Sequence, residues 1–174
     1  MRLVYSQINL KNLEINERIN RIIQGIERGR KEGADLVVLP LLDYYDLKEA
    51  LAFSPTLLKG TCDYPDITVL LAGRNNAKFQ TVFLLITEGK IIGKADYLSD
   101  ISNAEALKWS IDLNRCSSLE LSILIERPAN FLDLDYTRKA YLFLDSSNVL
   151  DSLYYKGSSY MLAKKTDSVF VFDF

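Results

Sequence analysis

The run Gly33-Ala34-Asp35-Leu36-Val37-Val38-Leu39-Pro40 constrains the fold more than any other stretch of the chain. A helix that ends at Gly33 feeds into a strand of β-branched residues and leucines. Pro40 stops that strand, because proline brings no N–H to a ladder. A short apolar run of this kind suits a strand buried on both faces of a parallel sheet. Ligands of open α/β sheets bind outside the carboxyl ends of their strands. The residues that follow Leu39 are Pro40, Leu41, Leu42, Asp43, Tyr44 and Tyr45, so an apolar pair stands where a catalytic group is expected.

The flanking sequence supplies the rest of the pattern. Arg2 to Leu10 reads as a first strand centred on Leu3, Val4 and Tyr5. Ile15, Ile19, Ile22, Ile23 and Ile26 recur at helical spacing and form one apolar stripe. Glu14 and Arg18, and Glu17 and Arg21, stand one turn apart in the favourable order. Arg28, Arg30 and Lys31 complement the negative end of the helix dipole, so this basic cluster needs no ligand, and Gly33 suits a left-handed cap. Further on, Tyr44 to Phe53 reads as a short helix, Ile67 to Ala72 as a strand and Gly73 to Ala77 as a polar turn. Phe79 to Ile86 and Lys90 to Lys94 form a hairpin across Thr87-Glu88-Gly89. Ser102 with Glu105 gives a capping box for a helix to about Ile111. Leu119 to Glu126 and Ala140 to Leu144 are strands, and Tyr160 to Ala163 pairs with Val169 to Phe174 at the end. The mixture predicts one α/β (α+β) domain spanning residues 1–174.

Composition removes several classes of function. The chain contains no histidine, which excludes His-based triads, His metal sites and His-based pH switches. A net charge of −2 gives no field to draw in nucleic acid or an anionic membrane. Cys62 and Cys116 are too few and too far apart for a zinc motif or a disulfide framework. Asp43 and Asp46, Asp96 and Asp100, and Asp133 and Asp135 are acidic pairs. Such loop aspartates more often cap helices or close Asx turns than hold a metal, so no metal and no cofactor is expected. No signal peptide or membrane-spanning run is visible, and the default location is the cytoplasm.

The order of motifs resembles the nitrilase, or carbon–nitrogen hydrolase, superfamily. Tyr5-Ser6-Gln7-Ile8-Asn9, then Asn16, then Lys31 to Pro40 are similar to its opening segment. Phe79 to Phe83 and Gly89 to Gly93 are similar to its central hairpin. Ser146-Ser147-Asn148-Val149, Lys156-Gly157-Ser158-Ser159 and Phe170-Val171-Phe172-Asp173 are similar to its closing segment. The resemblance implies an αββα sandwich, here truncated, whose full-length members pair into dimers.

It also implies a glutamate base, a lysine that stabilises the oxyanion and a cysteine nucleophile. The glutamate's place, directly after the proline, is Leu41, which cannot accept a proton; the general-base contribution of about 10²–10⁴-fold is lost with it. Lys94, followed by Ala95 and Asp96, is the one lysine candidate and sits close to its strand. The nucleophile's place falls at Ile125 on one alignment, and near Asp96 or in a deletion on another. Cys116 precedes the Leu119–Glu126 strand, and crossing it at ~3.3 Å per residue leaves the thiol roughly 25 Å from that place. Cys62 neighbours Asp63 and Asp66, whose charges oppose a thiolate.

The expectation is a pseudoenzyme: a regulatory or structural partner subunit, forming a homodimer or pairing with a protein such as an active relative. Alternatives are a binding module that uses a vacated pocket, or a residual hydrolase with a rebuilt site. The vestigial pocket would hold Leu41, Leu42, Asp43, Tyr44, Lys94 and Asp96.

Overall fold

A computed structural model describes residues 2–10, 13–40, 42–44, 55–56, 58–75, 80–98, 107–109, 120–124, 139–143, 152–155, 158–162 and 168–173. They fall into two compact units, one within Met1–Leu98 and Lys165–Phe174, the other within Ser99–Lys164. The first contains β1 (Arg2–Ser6), α1 (Ile15–Lys31), β2 (Leu36–Val38), β3 (Leu42–Tyr44), β4 (Thr68–Asn75), β5 (Gln80–Thr87), β6 (Lys90–Leu98) and β12 (Val169–Asp173). The second contains β7 (Leu107–Trp109), β8 (Glu120–Leu124), β9 (Lys139–Phe143), β10 (Ser152–Tyr155) and β11 (Ser158–Met161). The architecture is mixed α/β.

The first unit's sheet has the order β12-β1-β2-β4-β5-β6, with β3 also alongside β4. β1, β2 and β4 are mutually parallel, while β12, β5 and β6 join antiparallel. One cross-strand row runs Val171, Val4, Val37, Val69, Ile86, Ile91, and every member is β-branched. Such side chains pack well on a pleated surface. Burial along the row falls off toward the edges: Val4 and Val37 are 0% exposed, whereas Val171 and Ile91 at the ends reach 41% and 42%. The centre of the row packs in one cluster with Ile22 and Ile26 of α1, each worth about 1.5–3 kcal/mol when buried. Leu3, Tyr5, Leu36, Val38 and Leu70, on the alternate positions, are also buried. The central strands are therefore covered on both faces, as their unbroken apolar sequence requires.

Helix α1 matches its sequence pattern closely. Glu17 accepts the Glu14 N–H at 3.2 Å, and Glu27 pairs with Lys31 at 3.2 Å one turn on. Ile22 and Ile26 are buried, whereas Ile15, in the first turn, is 43% exposed. Gly33 takes φ +73°, so its N–H reaches the Arg30 carbonyl and the Ala34 N–H reaches that of Gly29. These bonds make a Schellman cap, and only glycine enters it without strain. Arg30 lies 5.4 Å over the Tyr64 ring, which gives part of the basic cluster a structural role. The Glu88-Gly89 turn of the β5–β6 hairpin has positive φ at both residues, 49° and 72°, as a type I′ turn demands.

Four expectations need correction. Gly73 to Asn75 do not turn: they extend β4, paired with Val82, Thr81 and Gln80, so the hairpin ladder recruits a polar segment. Leu107–Trp109 is a strand paired with Leu121–Ile123, because the non-local ladder outweighs the local helical signal there. The final segments do not pair with each other, since β11 joins β10 and β12 joins β1. Tyr44 ends a strand instead of starting a helix, and the remainder of that expected helix lies outside the described residues. Among the described residues no helix is long and apolar enough to cross a membrane.

Two outcomes follow from this packing. A Cβ at Gly29 would collide with the Val37 side chain in the middle of the sheet. Overpacking of that kind costs about 1–3 kcal/mol, against about 1 kcal/mol of helix propensity gained by alanine. Gly29→Ala should therefore lower the urea midpoint, and an unchanged or higher midpoint would contradict the close approach.

The second outcome concerns Arg2. Its guanidinium grips Asp173 at 2.7 and 3.1 Å and donates to the Glu32 carbonyl at 2.9 Å, while its backbone N–H meets Asp35 at 2.8 Å. The hydrogen bond from Arg2 holds the Asp173 carboxyl below the usual carboxylate range; desolvation opposes it, the charges of Arg2 and the N-terminus add to it, and the same bond raises Arg2. A depressed folded-state pKa stabilises above the ordinary Asp value of about 3.9 and loses that contribution as pH falls through the folded value. The pair is exposed and screened. The thermal midpoint of the wild type minus that of Asp173→Asn should be small and positive at neutral pH in low salt, and vanish once pH falls below the depressed folded-state value or in ~1 M salt.

Candidate functional site

The carboxyl ends of β1, β2 and β4 define the region where a site belongs. At the middle strand the ladder is broken in a specific way. Val38 pairs with Leu70 and Leu42 with Gly73, so four steps on the β2–β3 side run beside three on β4. The Leu39 N–H still reaches the Leu70 carbonyl at 3.3 Å. Pro40, which is buried and supplies no N–H, falls in the interval between Val38 and Leu42 that carries one residue more than β4, and β3 resumes the parallel pairing beyond it. The sequence predicted the stop at Pro40 but not the resumption beyond it.

Of the predicted pocket residues, Leu42, Asp43 and Tyr44 form β3, opposite Gly73, Arg74 and Asn75. Leu41 lies outside the described residues, as do Tyr45, Asp46, Asp100, Cys116, Ile125, Asp133 and Asp135. Lys94 pairs with Leu84, and Asp96 pairs with Val82, whose other neighbour is Gly73 beside Leu42. Asp96 thus shares a cross-strand row with Leu42 but stands three strand spacings away, roughly 14 Å at ~4.8 Å each. Register alone does not bring Lys94 or Asp96 next to β3.

Cys62 sits at the other end of the sheet. Its Sγ lies 3.4 Å from the Leu58 carbonyl and is exposed. A Cβ at Gly89 would collide with this sulfur, which ties Cys62 to the β5–β6 turn. The Thr61 hydroxyl accepts the Gly89 N–H at 3.1 Å and donates to Leu58 at 2.9 Å, which fixes the same corner. Thr87 beside that turn pairs with Thr68, the first residue of β4. The length of β4, roughly 23 Å at ~3.3 Å per residue, separates this corner from the strand's carboxyl end.

Two polar residues not counted among the pocket candidates stand at that carboxyl end. Ser6 is fully buried and Gln7 is 9% exposed, yet among the described residues the Ser6 Oγ and the Gln7 Oε1 have no hydrogen-bond partner. Ser6 faces α1, since its Oγ would lie 3.3 Å from a Cβ at Gly25. The Gln7 N–H donates to the Ser168 carbonyl at 2.9 Å, so the backbone of β1 is anchored where these side chains are not. The signal for them in the sequence is a polar pair closing an apolar strand. An orphaned buried polar group costs about 1–3 kcal/mol. Ser6→Ala removes one such group without adding volume, so the thermal midpoint should stay level or rise. A clear fall would reveal a partner that satisfies the hydroxyl in solution.

No family model and no curated protein matches the sequence. Solved structures do match the fold. An amidase from Nesterenkonia sp. AN1 aligns over 100% of this chain and 92% of its own, at TM-score 0.67 and 11% identity. A variant of that enzyme, described as a nitrilase-superfamily amidase, aligns at TM-score 0.69 and 12% identity over 100% and 90%. The glutamine-dependent NAD+ synthetase from Acinetobacter baumannii aligns at 0.65 and 9% identity over 98% of this chain and 44% of its own. The parallel strands flanked by α1, the long central hairpin and the closing strand on β1 are thus the parts of a known architecture, and the chain has the nitrilase-superfamily, or carbon–nitrogen hydrolase, fold in a shortened form.

Proposed function

We propose that this chain is a non-catalytic nitrilase-fold protein, a regulatory or structural partner subunit without carbon–nitrogen hydrolase activity. The observation that carries the reading is the residue after Pro40: leucine, at the place where the family resemblance requires a glutamate base. The position of Cys62 supports it, because that thiol lies at the end of the sheet away from the strand carboxyl termini. The neighbouring amidase offers an instructive comparison. Its glutamate-to-leucine variant still adds the acetamide moiety of fluoroacetamide to its active-site cysteine. Loss of the base alone leaves that enzyme's nucleophile reactive, so the leucine after Pro40 is read together with the lack of a cysteine at Ile125 or near Asp96, the places the resemblance gives the nucleophile. Groups that act as a unit are non-additive, and restoring one without the other gains little.

The chain is further proposed to form one domain, to reside in the cytoplasm and to associate as a homodimer or with a protein partner such as an active relative. Contacts would come mainly from the segment Asn103 to Leu144. A second reading, a small-molecule binding module, draws on the buried Ser6 Oγ and Gln7 Oε1 near the end of β1, which have no partner among the described residues.

A single set of measurements separates these readings. Purified protein should release no ammonia from acetamide, butyramide or glutamine, and Leu41→Glu should not change that. Sedimentation at micromolar concentration should show a dimer or a co-purifying partner, with Trp109→Glu weakening the association. Turnover would overturn the non-catalytic reading. A stable monomer without partner, stabilised thermally by butyramide but not hydrolysing it, would replace it with the binding module.

A further inference from the structure

We draw no further inference here: the strongest candidate, the buried and unpartnered Ser6 hydroxyl and Gln7 side-chain carbonyl at the carboxyl end of β1, belongs to the site region already described, and nothing in the structure shows what would reach it.

Discussion

The close contact between α1 and β2 is the constraint on which the first unit depends. Val37 lies at the centre of the β-branched row, and Gly29 allows the helix backbone to reach it. That approach brings Ile22 and Ile26 onto the row and leaves the helix end within reach of the start of β1, where Arg2 meets the Glu32 carbonyl. A larger residue at 29 would lift the helix off Val37 and weaken burial along the parallel strands. The Schellman cap at Gly33 then turns the chain directly into β2, with Ala34 already in the core. Packing and chain reversal are thus set within a few residues of each other.

The same placement fixes the start of the candidate site. Because β2 is clamped between β1 and β4, the disruption introduced by Pro40 is taken up after Leu39, as one surplus residue before β3. In the family that this fold resembles, the catalytic base follows that proline. Here the position is Leu41. A leucine cannot accept a proton, and the proposal of a non-catalytic chain starts from that residue.

The sequence was most informative where local and non-local signals agree. α1, its cap, β2 and the Glu88-Gly89 turn were legible, because apolar spacing, helix-end residues and the need for positive φ point to the same structure. It misled where a ladder overrides local preference. Gly73-Arg74-Asn75 has the composition of a turn, yet each residue pairs across to β5. Leu107–Trp109 follows a capping signal, yet joins β8. At the site, the sequence predicted the strand stop at Pro40, and Val38 is the last residue of β2. The extra residue between Val38 and Leu42 was not legible, because it depends on register against β4, and Ser6 and Gln7 fell inside an expected strand, Arg2 to Leu10, that in fact ends at Ser6.

The absence of an activated nucleophile is the most direct test of the proposed reading, because it does not depend on choosing the right substrate. Native protein treated with fluoroacetamide at neutral pH, followed by intact mass and peptide mapping, reports any such thiol. The account predicts no adduct formed faster than on the same chain unfolded in denaturant. A single rapid, stoichiometric adduct on Cys116 or Cys62 of the folded protein would contradict it and restore a working hydrolase site to this fold.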